Sequence, residues 1–194
     1  MARTMKGAVI AGGILGFLAG GLLTKFPVER IASEPTSVTL VEDYTSSKSK
    51  DILSGPFYSQ SDVPSNMCSR YVRMAAQDLF GIRYPRADAW DIRDDSKIDE
   101  IKVRSKADLN ALVKSNLLKP GMILGLYYPD SNYNRIAEED GAGYTHVALY
   151  LGEENGNSYF ADKFGKKIRT KISIDDLLGN GNLEPREVLF LSNK

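Results

Sequence analysis

The chain has little of the residues that usually build covalent or metal chemistry: Cys68 and His146 are its only cysteine and histidine among 194 residues. One cysteine excludes an intramolecular disulfide, and one Cys with one His excludes a zinc site of the usual kind unless several carboxylates complete it. Neither sign of charge is in excess. The 25 Lys and Arg balance 25 Asp and Glu, which argues against a nucleic-acid or other polyanionic partner. The sequence holds no internal repeat, and nothing in it implies a metal or another cofactor. What remains is an ordinary globular composition, 42% hydrophobic and 26% charged, which predicts one compact core.

The longest uncharged run lies at the start, residues 7–23 between Lys6 and Lys25. A bilayer-crossing helix needs about 17 to 25 residues, so this segment meets the lower bound. A cleaved signal peptide is the competing expectation, because Arg3 and Lys6 form a basic stretch ahead of the apolar one. No small-x-small site follows closely, and the reading favours a retained anchor over residues 1–25. Arg3 and Lys6 then keep the N-terminus cytoplasmic and place the rest outside, with secretion after cleavage as the alternative. Residues 26–55 read as a flexible polar tether, with Thr45-Ser46-Ser47-Lys48-Ser49-Lys50 its most polar part and Val38-Thr39-Leu40-Val41 a possible short strand.

From residue 56 to 194 the signals become regular. Ser65 or Asn66 is expected to cap a helix whose apolar positions Cys68, Val72, Ala75, Ala76 and Leu79 recur every three or four residues and which Gly81 ends. Ser105-x-x-Asp108 opens a second helix that stops before Pro120-Gly121. Strand signals follow: the apolar run Met122 to Tyr128, fit for a central strand, then His146 to Leu151, a turn at Glu153 to Asn157, and Ser158 to Asp162. Lys167 to Ile172 and Val188 to Leu191 are further strands, with a short helix capped by Ser173 between them. Helices first and an antiparallel sheet afterwards define an α+β fold.

On this frame Cys68 sits in the first turn of an amphipathic helix and His146 at the first residue of a strand. A helix N-terminus stabilises a thiolate, and its unpaired N–H groups can hold an oxyanion. Free cysteines are more often small buried hydrophobes, and a strand-edge histidine is more often satisfied by solvent or backbone. Antiparallel pairing brings Asp162 back alongside His146, where a carboxylate would orient the imidazole. The basic run from Lys163 to Lys171 reads as the solvated face of a hairpin.

Three segments in order carry a resemblance: Asn66-Met67-Cys68-Ser69-Arg70-Tyr71-Val72, Leu118-Lys119-Pro120-Gly121-Met122-Ile123-Leu124 and Thr145-His146-Val147-Ala148-Leu149-Tyr150-Leu151-Gly152. They are similar to the Cys helix, the "L-x-PG" lead-in to the first strand and the "HV-x-x-YLG" strand of the NlpC-type papain-like cysteine peptidases. Ala87-Asp88-Ala89-Trp90-Asp91 resembles the "N-A-x-D-W" region of the related CHAP amidases. The resemblance implies a Cys-bearing helix packed on a small antiparallel sheet, with Cys68 as nucleophile, His146 as base and Asp162 as third polar residue. It makes Tyr58, Ser69 and Trp90 candidates for contact with substrate or oxyanion. It also implies hydrolysis of a peptide or amide bond, commonly in bacterial peptidoglycan, outside the cytoplasm. Met67 and Arg70 replace the Asp and Gly of the usual "D-C-S-G". That departure keeps two alternatives open: a non-catalytic envelope-binding or scaffolding domain, and an acyltransferase that forms the same thioester.

Overall fold

The apolar runs around Ile123 and Val147 lack strand alternation because the sheet they enter is covered on both faces. The computed structural model describes residues 49–192, Phe57 and Gln60 excepted. The expected anchor at residues 7–23 and the possible strand at Val38–Val41 lie outside the described residues. Among the described residues no helix is long and apolar enough to cross a membrane.

The chain runs α1 (Ser49–Ser54), α2 (Cys68–Phe80), β1 (Ile98–Lys102), α3 (Lys106–Lys114), β2 (Ile123–Tyr127), α4 (Asn134–Glu139), β3 (His146–Glu154), β4 (Asn157–Phe164), β5 (Lys167–Ser173), α5 (Ile174–Gly179) and β6 (Glu184–Leu191). The six strands form one antiparallel sheet in the order β1-β6-β2-β3-β4-β5. The α+β class and the antiparallel sheet expected from the sequence are both present. The folded part begins earlier than residue 56, since α1 occupies the end of the stretch read as tether and buries Leu53 in the core.

On one face α2 packs on β3 and β4, joining Tyr71, Val72, Ala75 and Ala76 to Val147, Leu149, Leu151 and Ala161. On the other, Leu109 of α3 and Leu177 of α5 cover Leu124, Leu126, Ala148 and Phe160. Alternate residues of β3 therefore serve different layers, and its first seven residues are all buried. Strands β3 and β4 meet at Asn155-Gly156, both with positive φ, the two-residue turn whose twist suits a hairpin.

Two elements escape the sequence patterns. β1 alternates buried Ile98 with charged Asp99 and Glu100 at the sheet edge, and α4 is a six-residue helix within a polar connection. The cap of α2 also differs from expectation. Met67 holds that position with no side-chain hydrogen bond, while Asn66 turns to positive φ and donates its backbone N–H to Gly165 O at 3.2 Å. Side chains at Ser105 and Ser173 do cap α3 and α5, each accepting from the N–H three residues on.

Gly125 lies between Val147 and Glu187 in the sheet, and the ring of Tyr144 rests on it. A Cβ at Gly125 would come within 3.1 Å of three ring atoms. Gly125→Ala is expected to destabilise the domain by about 1–3 kcal/mol, the usual cost of overpacking, measured by chemical denaturation. Because Tyr144 precedes His146 by two residues, the same variant should shift the backbone resonances of residues 144–146.

Candidate active site

Cys68 is the first residue of α2, 8% exposed, and its thiol points at the carbonyl of Thr145 across 4.0 Å. Thr145 immediately precedes His146, so the start of the helix meets the start of β3. The Asn66–Gly165 hydrogen bond ties the turn ahead of Cys68 to the β4–β5 hairpin as well. Met67, lacking a capping side chain, leaves the first N–H groups of α2 clear of side-chain acceptors.

The imidazole of His146 is buried, and its Nε2 lies 2.7 Å from Asp162 Oδ2. Nδ1 is thereby the nitrogen left for the thiol. Phe164 stands edge-on to the ring, with centroids 5.2 Å apart, and shields it from one side. Burial opposes charge on His146, but the hydrogen bonds of the ring with Asp162 and Cys68 outweigh it and raise the pKa to about 9.

Asp162 is fully buried and serves two partners. Arg169 grips it with two nitrogens: Nε donates to Oδ1 at 2.7 Å and Nη2 donates to Oδ2. Burial alone would raise the Asp162 pKa, yet the hydrogen bonds from His146 and Arg169 hold it below the usual carboxylate range. Asp162 thus stays ionised and fixes the ring. Arg169 was read from the sequence as part of a solvated basic face; in the structure its side chain is largely buried against Phe164 and Asp162. The signal was present, because a turn at Gly165-Lys166 pairs residue 162 with residue 169.

The stability of this network depends on pH in a definite direction. His146 has a folded pKa above its unfolded value, so its contribution is complete below about 6.5 and is lost as pH rises through about 9. Asp162 has a lowered folded pKa, so its contribution is present above the ordinary carboxylate value and is lost in acid. Thermal unfolding of the wild-type chain should therefore show a decline in Tm between about pH 6.5 and 9 that His146→Gln lacks.

Cys68, Ser69, Trp90 and His146 line one cavity of about 1030 Å³. Trp90 is half-buried and stacks on Tyr133, with ring centroids 5.6 Å apart and planes at 26°, giving the cavity lining an aromatic platform. Sequence patterns missed Tyr133 and Lys163. Lys163, 1% exposed, reaches the cavity lining and donates to Lys166 O at 3.2 Å. Asp162 stands behind His146 and is not part of the lining.

Tyr58 is not brought to the site. Its hydroxyl donates to Asp78 at 2.6 Å, and its ring sits edge-on to Tyr71. Asp78 is ten residues along α2 from Cys68, about 15 Å of helix, and Tyr71 only three, so Tyr58 lies along the side of that helix, outside the cavity lining. Among the described residues no group of three or more His, Cys, Asp or Glu side chains is arranged to hold a metal ion. Comparison of the chain with protein-family models, with curated proteins and with solved structures finds no match.

Proposed function

We propose that the protein is a thiol hydrolase of the papain-like NlpC/CHAP type that cleaves a peptide or amide bond. The observation that carries this reading is the meeting of Cys68, at an uncapped helix start, with a buried His146 whose other nitrogen is held by Asp162. His146 Nδ1 accepts the proton of the Cys68 thiol, and the thiolate attacks the carbonyl carbon. The N–H groups at the start of α2 hold the oxyanion, and the Ser69 hydroxyl is a neighbouring donor. The imidazolium then protonates the departing amine as the C–N bond breaks, leaving a thioester on Cys68. His146 next takes a proton from water, the hydroxide attacks the thioester, and the proton returns to sulfur as the acid leaves.

The size of the cavity supports an extended substrate over a very small one, since about 1030 Å³ is at the upper end for ligand pockets. The Trp90–Tyr133 stack offers an apolar or sugar ring a flat contact. Cell-wall peptide, reached by a domain tethered outside the cytoplasm through residues 7–23, is the substrate this reading favours. To test it, the wild-type chain and Cys68→Ala are incubated with purified peptidoglycan and with soluble wall peptides, and the products are compared by mass spectrometry. Fragments bearing a new carboxyl and a new amine, made only by the wild type, are expected. Identical fragments from both proteins would overturn the thiol mechanism. A product in which the acyl group has moved to an added amine would assign acyl transfer in place of hydrolysis.

A further inference from the structure

A second concavity of about 470 Å³ opens off the first and shares Arg70, Arg73 and Arg86 with it. Arg83, Gln77 and Tyr84 complete its polar lining, and no carboxylate lines it. The arrangement follows from the chain path. Arg70, Arg73 and Gln77 recur at helical spacing on one face of α2, Gly81 ends the helix in a left-handed turn, and the returning segment lays Arg83 and Arg86 across that face. None of the four arginines forms an ion pair or a side-chain hydrogen bond with another described residue, and Nε of Arg73 is buried without a partner. Burial, then the neighbouring Arg86 and Arg70, makes the charge on Arg73 harder to hold, while Asp88 offsets this in part. Asp62 interacts electrostatically with Arg70 from outside the groove.

Arg70, Arg83 and Arg86 are exposed and screened by water, while Arg73 is half-buried with a polar atom unmatched, so an anion entering the groove would meet a local excess of positive charge and a free donor. The larger cavity is also lined by Asp88, Asp91 and Asp130, of which Asp88 acts on Arg73. The overall charge of the chain is balanced, so this local excess is not the footprint of a nucleic-acid binder.

We infer that the arginine-lined groove beside Cys68 is an anion subsite, which takes a carboxylate or phosphate carried by the substrate and so orients the scissile bond over the thiol. Arginine forks hold either anion with paired hydrogen bonds. This inference deepens the reading of the Cys68 site and rests on it for the word substrate.

Because Cys68 is the only cysteine, its alkylation reports on this place alone. Rates with iodoacetate, an anion, and iodoacetamide, its neutral counterpart, are measured on the full chain at constant ionic strength. Their ratio cancels the reactivity of the thiol. In Arg73→Gln/Arg86→Gln the ratio is expected to fall about tenfold, the scale of electrostatic steering into a cleft. Arg70→Gln, a single change, should lower it by less, and Arg86→Lys, which keeps the charge, should leave it near the wild-type value. Millimolar inorganic phosphate or succinate should slow iodoacetate saturably in the wild type and not in the double variant. The anion effective at the lower concentration identifies the group the subsite takes. An unchanged ratio in both glutamine variants, or slowing that does not saturate, would overturn the subsite. If iodoacetamide reacts no faster than with a free thiol while the ratio still falls in the variants, the nucleophile reading fails and the anion site stands.

Discussion

With any substrate the wild-type chain turns over, Cys68→Ala is expected to reduce product to background and His146→Ala to lower the rate by about 10²–10⁴-fold, the usual worth of a positioned acid–base. The two losses have different origins. Without Cys68 no bond to the carbonyl forms, whereas without His146 the thiol keeps its place at the helix start but loses the group that takes and returns its proton. The double variant should therefore be no worse than Cys68→Ala, because the residues act as one unit. Circular dichroism on each variant separates this from loss of fold.

The second large effect is on stability. Asp162→Ala removes a fully buried carboxylate from between His146 and Arg169 and leaves the guanidinium without its partner. Breaking one side of such a pair costs about 3–5 kcal/mol. For a domain of this size that lowers Tm by about 10 °C. The cost belongs to the orphaned charge more than to the lost bond, so the expected sign of a double change is opposite. Asp162→Leu/Arg169→Leu should recover part of the stability lost in Asp162→Leu alone. Activity should not recover with it, because the imidazole is then no longer oriented. Asp162→Asn keeps the shape and tests the charge: it should fold with a smaller loss while His146 titrates at lower pH.

The residues at the centre of the account were legible because they sit at element boundaries. Periodicity alone places Cys68 at a helix start, an apolar run places His146 at a strand start, and the Asn155-Gly156 turn returns Asp162 alongside it. The central position of β2 was also legible, since an unbroken apolar run bounded by Pro120-Gly121 and Pro129-Asp130 fits a strand covered on both faces. What stayed hidden depends on long-range partners. β1 is a charged edge strand that exists because β6, about 90 residues later, pairs with it. The cap of α2 was misplaced because Asn66 gives its backbone to Gly165, a contact no local pattern encodes. Tyr58 had the right distance from Cys68 in sequence, yet Asp78 draws it along the helix and away from the cavity. Arg169 was recoverable from hairpin register, but a run rich in Lys and Arg reads first as surface. The arginine groove needs the segment after Gly81 to fold back over α2, which spacing does not reveal.

His146 is the only histidine in the chain, so its imidazole signals can be followed by NMR without assignment by mutation. A titration of the wild-type protein and of Cys68→Ala tests most directly whether thiol and imidazole form one unit. A midpoint near 9 is expected in the wild type, with a clear fall toward the ordinary histidine value when the sulfur is removed. A midpoint at or below about 6.5 that Cys68→Ala leaves unmoved would contradict it, and would leave Cys68 and His146 as two separate core residues.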